Sequence, residues 1–421
     1  MNILLVGSGG REHAIAKKLS ESPLCQQLYI APGNPGTAQC GINVPLAIND
    51  FIGIKTFCHQ NEVNLVVVGP EAPLVDGITN IFRAHDCSHI SVIGPDAHAA
   101  QLEGSKAFAK KFMQKYQIPT APYLEVSVNN LDEGITFLEN MSPPYVLKAD
   151  GLAAGKGVLI IHDLDEAKNE LHNMLSGKFG KASFTVVIEQ YLDGIEFSVF
   201  ALTDGKDFVL LPEAKDYKRI GEGDNGLNTG GMGAISPVPF VDEALWHTVT
   251  TEIVKPTIDG IFAEGMDYVG FVFFGLIKVG DKPYVIEYNC RLGDPETEVV
   301  IPRLTSDLVE LLMAAAKKQL SESRLEISTS AVATVILVSG GYPGDFEKGN
   351  PITSLEKVSG STVYHSGTTI NNDQLVTSGG RVLAITSAAK DFKDAVALSI
   401  KNAEKIQYAG KYFRKDIGFD L

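Results

Sequence analysis

Paired cysteines, long apolar runs, an excess of basic charge and two common phosphate-loop signatures are all missing from this chain. Its five cysteines, at 25, 40, 58, 87 and 290, include no C-x-x-C pair, so neither a zinc site nor a disulfide framework is expected. No stretch approaches the roughly 18 apolar residues of a membrane span. Met1 to Gly7 is apolar but too short for a secretion signal and has no basic flank. These absences lead to the expectation of a soluble cytoplasmic protein with no membrane partner. The formal net charge of −15 argues against a general nucleic-acid binder, which needs clustered Lys and Arg to neutralise phosphates. The dinucleotide fingerprint G-x-G-x-x-G fails because Glu12 stands at the third glycine, and the strand Leu28-Tyr29-Ile30 ends without an acid for a ribose hydroxyl. NAD is therefore not expected. A Walker A loop is missing as well, since Gly155-Lys156-Gly157 lacks the following Ser or Thr and a helix.

What is present suits several α/β and α+β domains. With 421 residues and 44% apolar content the chain is expected to divide at 1–103, 104–327 (with a lid subdomain at about 121–190) and 328–421. Ile3–Val6 reads as a strand, followed by Gly7-Ser8-Gly9-Gly10 and a helix from Ala14 to Ser20. Strands at Leu65–Val68 and Ile90–Ile93, each ending in Gly-Pro, complete a Rossmann-like sheet whose strand-end loops suit a substrate phosphate. Ser105–Met113 looks helical with basic residues on one side. Strand Tyr145–Lys148, the loop Asp150–Gly157 and strand Val158–Ile161 make a hairpin, either an ordinary flexible one or a cover for phosphates with Lys148 and Lys156 in reach. Thr185–Glu189 leads into a hinge at Gln190–Phe197, where Glu196 is either solvated or placed for ribose hydroxyls. Six glycines between Gly221 and Gly233 imply a long loop pressed against something.

A helix over Asp242–Gly260 and strands at Val269–Phe274 and Leu276–Val279 precede the stretch Tyr284–Arg291. Strand alternation there points Tyr284, Ile286, Tyr288 and Cys290 to a core and Glu287, Asn289 and Arg291 to the other face. Glu287 and Asn289 are hard oxygen ligands suited to Mg²⁺, and Arg291 has a fork for phosphate or carboxylate. An exposed strand face is the competing reading. Asp294 is expected to cap a helix with Pro295 at its first position. Strands Val332–Val338, Thr362–His365 and Arg381–Thr386, then a helix near Ala389–Ile406, read as a closing wall without a catalytic signature.

Taken together, G-S-G-G-R-E-H-A at 7–14, P-G-N-P-G-T at 32–37, K-A-D-G-L-A-A-G-K-G at 148–157, N-T-G-G-M-G-A at 228–234 and N-C-R-L-G-D-P-E-T at 289–297 resemble the phosphoribosylamine–glycine ligase family. The resemblance runs end to end. It implies central ATP-grasp domains with ATP as co-substrate and Mg²⁺, or alternatively Mn²⁺, on Glu287 and Asn289. It further implies ATP contacts from Lys106, Lys148, Gly155, Lys156, Glu189, Leu192, Glu196, Arg219 and Asn228. Glycine and 5-phosphoribosylamine would meet Gly9, Gly10, Asn34, Asp216, Lys218, Arg291 and Asp294, with Arg291, Lys148 and Asp294 as the catalytic set. A monomer is the default assembly. One departure stands out: Asp216-Tyr217-Lys218-Arg219 has tyrosine where the family usually has histidine. Two rival readings are a biotin-dependent carboxylase subunit, which would share only the nucleotide motifs, and a non-catalytic nucleotide sensor.

Overall fold

The computed structural model describes residues 1–83, 85–152 and 157–421. Strands β1 (Asn2–Gly7), β2 (Gln27–Pro32), β3 (Ile42–Asn43), β4 (Val63–Val68) and β5 (Ser91–Ile93) form a parallel sheet in the order β3-β2-β1-β4-β5. Near-continuous apolar runs such as Ile3–Val6 are what a parallel sheet covered on both faces requires. Leu4, Val6, Val66 and Val68 pack into one core while Ile3, Leu5, Leu65 and Val67 pack into another, as strand alternation dictates. The first helix spans Gly10–Ser20, so it begins earlier than expected. Gly9 is its extended cap, and Glu12 reaches back to accept the Gly9 amide at 2.6 Å, which tightens the first turn.

Strands β6 (Tyr123–Ser127), β7 (Tyr145–Ala149), β8 (Val158–Ile161) and β9 (Thr185–Gln190) make a four-stranded antiparallel sheet in the order β6-β9-β7-β8. The expected hairpin is β7–β8. Its tip positions Gly155 and Lys156 lie outside the described residues.

The remaining strands are β10 (Ile195–Thr203), β11 (Phe208–Asp216), β12 (Arg219–Gly221), β13 (Asn225–Asn228), β14 (Gly233–Ser236), β15 (Gly270–Val279), β16 (Lys282–Asn289), β17 (Ala331–Val338), β18 (Ser361–His365), β19 (Thr368–Asn371), β20 (Gln374–Thr377) and β21 (Arg381–Ala389). Eight of them form one antiparallel sheet in the order β16-β15-β10-β11-β14-β17-β21-β18. The C-terminal stretch therefore continues the central sheet through the β14–β17 pairing.

Several local expectations change. Residues 219–228 form a small hairpin, β12–β13, rather than a long loop. β15 is one strand through Gly275, not two. The helix expected at 242–260 is Glu243–Val249, then a wide π-helical turn at Thr250–Val254, then Lys255–Ala263. Pro256, which has no N–H to donate, sits just after that turn. In β16, Gly275 pairs with Glu287 but Leu276 pairs with Val285, so Ile286 is a bulged residue. The bulge flips the alternation. Val285, Tyr288 and Cys290 are buried, while Tyr284 and Ile286, expected in the core, are only half-buried.

Candidate functional site

A cavity of about 220 Å³ opens between the helix Lys106–Lys115, strands β7–β9 and strand β16. Its walls bring together Lys106, Lys148, Glu189, Glu287, Asn289 and Arg291, residues far apart in sequence. Ser105 caps the helix through the Phe108 amide, and the Asp150 carboxylate accepts from the Ala107 amide at 2.7 Å. These contacts tie the start of the helix to the end of β7 and aim Lys106 inward. One turn later on the same face lies Lys110, to which the sequence reading gave no role beyond membership of the helix's basic side. Lys110 is 1% exposed; its ammonium lies 3.0 Å from Glu189 and 2.7 Å from Thr120 Oγ1. Burial pushes it down to about 8. The i,i+4 spacing from Lys106 was the available signal.

Glu189 is bracketed by Lys110 and, at 2.9 Å, Lys148. Burial works against its ionisation, but the two ammoniums hold its carboxyl below the usual range. Lys148 also donates to Ile286 O at 3.4 Å, reaching β16 across the cavity. Burial pulls the Lys106 ammonium below its ordinary value, against the raising influence of Glu287.

Glu287 and Asn289 differ from everything around them. Among the described residues neither side chain makes a hydrogen bond or ion pair. A carboxylate and an amide oxygen left free in a lysine-lined cavity are donors that fit a hard, oxygen-seeking cation. Arg291, expected to offer a free fork, is instead held by Glu71 at 3.2 Å and Glu103 at 2.9 Å. Glu103 accepts from the Cys290 amide too, at 2.7 Å, so it fixes both backbone and side chain at the end of β16. Burial pushes the Glu103 carboxyl up to about 7, against the pull of Arg291. Burial also opposes ionisation of Glu71, but Arg291 and Arg11 override it and hold that carboxyl low.

A second charged cluster adjoins the cavity where β10 and β11 run together. Lys218 pairs with Glu196, and Ser198 Oγ donates to Glu296 at 3.3 Å. Burial raises the Asp216 carboxyl, and burial with Asp216 nearby pushes Glu296 up to about 7. Lys218 feels Glu287 and Glu196 feels Lys148, which places the cluster beside the metal-suited strand. Leu192 lies in the turn between β9 and β10, and Arg219 faces Asn228 across the β12–β13 hairpin, where its guanidinium donates to Gly226 O. Leu192, Glu196, Asp216, Lys218, Arg219 and Asn228 are not among the residues lining the cavity itself. Tyr217 points the other way. It is 1% exposed, its hydroxyl donates to Asp420 at 2.8 Å, and Lys215 and Arg414 lie over its ring.

The N-terminal glycine junction is built differently from what its motif suggests. Asn34, expected to touch substrate, has its carboxamide fully engaged. It donates to Ser8 O and His365 O at 2.8 Å each and accepts from the Gly36 and Thr37 amides. A β-carbon on Gly10 would meet the Glu298 carboxyl and the Ser366 hydroxyl, and one on Gly9 would meet Glu12 and Asp294. Asp294 is not a helix cap. The short helix begins at Thr297, the Asp294–Pro295 peptide is cis, and the Asp294 carboxylate pairs with Arg381 at 2.9 Å. The C-terminal stretch thus supplies His365, Ser366 and Arg381 to this junction, so it is more than a wall. Glu298 is completely buried, and among the described residues neither of its oxygens has a partner. Burial and Asp294 hold it well above the carboxylate range. Arg11, Glu12, Glu71, Glu103, Glu298 and Arg381 were all missed, because only the fold brings these distant charges together.

Known proteins resemble this chain over nearly its whole length. Three family models match in order: the N domain of phosphoribosylglycinamide synthetase at residues 1–103, its ATP-grasp (A) domain at 104–297 and its C domain at 332–420. The phosphoribosylamine–glycine ligases of Pasteurella multocida and Escherichia coli are each 43% identical over 424 and 426 residues, covering 100% of this chain and 98% of theirs. The crystal structure of phosphoribosylamine–glycine ligase from Thermotoga maritima superposes with a TM-score of 0.86 at 35% identity, covering 99% of this chain and 100% of that one. A biotin carboxylase from Campylobacter jejuni, 15% identical with a TM-score of 0.74 over 100% of this chain and 94% of that one, shares the fold alone. The chain belongs to the phosphoribosylglycinamide synthetase family.

Proposed function

We propose that this chain joins glycine to 5-phosphoribosylamine at the expense of ATP, giving glycinamide ribonucleotide, ADP and phosphate, a step of de novo purine biosynthesis. Family membership supports the reaction, and one observation carries its placement: Glu287 and Asn289 stand unpartnered among the described residues in a cavity whose other walls hold Lys106, Lys110 and Lys148. The cavity is lined by four cations (Lys106, Lys110, Lys148 and Arg291) and four carboxyls (Glu71, Glu103, Glu189 and Glu287), a balance that suits a polyanion arriving with its own cation. Mg²⁺, or Mn²⁺ in its place, held by Glu287 and Asn289 would neutralise charge on the ATP phosphates.

The chemistry needs no protein nucleophile. A glycine carboxylate oxygen bonds to the γ-phosphorus as the bond to the bridging β-oxygen breaks, releasing ADP and leaving glycyl phosphate. The amine of phosphoribosylamine then attacks the acyl carbon, phosphate leaves, and the nitrogen loses a proton to solvent. The protein positions reactants and offsets charge. Lys106 and Lys148 lie against the phosphates, and the family resemblance assigns Gly155 and Lys156, which lie outside the described residues, to the ATP contacts as well. Glu189 and Leu192 frame the adenine end, and Glu196, Arg219 and Asn228 close the nucleotide side. Arg291 and Asp294 flank the acyl phosphate, and Asp216 and Lys218 lie beside glycine. Gly9, Gly10 and Asn34 shape the phosphoribosylamine side by bracing its loop.

We take a monomer as the assembly. We place the enzyme in the cytoplasm, with neither nucleic acid nor membrane as partner. No helix among the described residues is long and apolar enough to cross a membrane. The test is ADP release by the purified protein with glycine, alanine or serine, each with and without phosphoribosylamine. Steady-state release over many turnovers that needs both glycine and phosphoribosylamine is expected. ADP release indifferent to phosphoribosylamine would overturn the reading.

A further inference from the structure

We infer that His59, Asp86 and Cys87 form a binding site for a divalent transition ion of the zinc class, on the N-terminal unit and independent of the ligation reaction. His59 lies in the last turn of the helix Phe51–Gln60, and Asp86 and Cys87 lie in the short turn His85–Cys87 that packs beside it. Their ligand atoms converge within 4.8 Å of one another. The separations are 3.5 Å from Cys87 Sγ to His59 Nε2, 3.8 Å from Cys87 Sγ to Asp86 Oδ1, and 3.7 Å from His59 Nε2 to Asp86 Oδ2.

Those lengths can be compared with the edges of a coordination tetrahedron. Zinc bonds of about 2.3 Å to sulfur and about 2.0–2.1 Å to nitrogen or oxygen, at tetrahedral angles, put S···N and S···O about 3.6 Å apart and N···O about 3.4 Å apart. The S···N edge matches directly. The two distances to Asp86 are made by different oxygens, Oδ1 toward Cys87 and Oδ2 toward His59, so a small rotation of the carboxylate is needed to bring one oxygen between them, from a starting set already within 4.8 Å of one another. The donor set of one thiol, one imidazole and one carboxylate is borderline-soft, which favours zinc over Mg²⁺. The fourth position falls to water or to His89, whose ring centroid is 5.6 Å from that of His59.

The site also shows a preference for positive charge. Lys55, one helical turn before His59, places its ammonium 2.8 Å from Asp86 Oδ2 and 3.1 Å from Asp86 Oδ1. A divalent ion would displace that ammonium to solvent, and the Lys55 side chain, a quarter exposed, has room to swing away. Cys87 is buried beneath the exposed pair, so the thiol forms the floor and the imidazole and carboxylate form the rim. Coordination requires the thiolate, and the thiol proton passes to solvent. The absence of C-x-x-C spacing gave no hint of this site, because its ligands come from two elements and include one cysteine.

The full-length protein, stripped with a chelator and then saturated with Mg²⁺ and ADP to occupy the central cavity, is titrated with Zn²⁺ and, separately, Co²⁺. One equivalent is expected to bind with micromolar or tighter affinity, and Co²⁺ should develop thiolate charge-transfer absorption. Cys87→Ser should remove that absorption. His59→Ala, a change at an exposed position that keeps the fold even if Cys87→Ser does not, should weaken binding by about tenfold or more. Lys55→Ala should tighten it, and turnover should be the same in all variants. No stoichiometric uptake by the wild-type protein, or uptake that His59→Ala leaves unchanged, would overturn the assignment whether or not the ligase activity is found.

Discussion

The cavity beside β16 and the glycine junction around Gly9 use the same classes of residue and treat them in opposite ways. In the cavity, Glu287 and Asn289 are left without protein partners among the described residues, while Lys110 and Lys148 both pair with the single carboxylate of Glu189. At the junction, the Gly9 amide is taken by Glu12, the Asn34 carboxamide by four backbone groups and Asp294 by Arg381. A run of glycines at a helix start signals that something approaches the backbone closely. Here the approaching groups are side chains of the protein itself, Glu298 and Ser366. Glu298 is the exception at the junction: its carboxyl is fully buried without a partner among the described residues and is held well above the carboxylate range.

The strongest way to break that comparison is Glu287→Gln. If its carboxylate is free because it serves a cation and phosphates, the change should remove about 3 kcal/mol or more of transition-state stabilisation, a loss of at least about a hundredfold in ADP release. Thermal unfolding should be unchanged, since no protein contact is lost. Near-normal turnover in a folded Glu287→Gln protein would place the metal elsewhere.

Gly10→Val probes the other side. Its branched side chain would collide with Glu298 and Ser366, so it should destabilise the fold by about 1–3 kcal/mol, read from denaturant unfolding. ATP affinity by calorimetry should hold. A variant of normal stability that loses only its affinity for the ribotide product would show the junction to be a ligand loop after all.

Glu103 links the two regions through Arg291, and pH should expose it. Burial holds its carboxyl at about 7, so it gains a proton as pH falls through that value and no longer pairs with Arg291 as an anion. The wild-type kcat/KM should therefore decline on the acid side of about pH 7. Glu103→Gln should lower the plateau by about tenfold, on the order of 1.4 kcal/mol, and remove that limb. A limb that persists would belong to Glu296, which burial also pushes up to about 7.

The smallest effect is expected from Tyr217→Phe. It removes one hydrogen bond to Asp420 and should reduce stability by about 1 kcal/mol with kcat and KM unchanged. A change in KM for glycine would mean that this position reaches the site, contrary to its orientation toward the C-terminus.

Much of this was legible before the fold was known, because local periodicity and hydrogen-bonding needs act over a few residues. The parallel strands, the β7–β8 hairpin, the helix near Ser105–Met113 and the shared face of Glu287, Asn289 and Arg291 all follow from alternation, turn chemistry and helical periodicity. The motif set at 148–157, 228–234 and 289–297 was specific enough to indicate the family. What failed did so where a distant group intervenes. The bulge at Ile286 depends on how β15 aligns with β16, and Asp294 leaves its capping role because Arg381 of β21 reaches it. Lys110 was given no role because nothing in its own helix reveals that Glu189 lies opposite. Arg291 looked free because Glu71 and Glu103 lie on helices about 190 to 220 positions away. Charge pairing has almost no sequence-range limit once the chain is compact, whereas periodicity reads only neighbours. The residue types of the site are set by the chain's order, but which of them remain unpartnered and ready to bind is decided by the tertiary structure, since burial alone determines which charges must find partners.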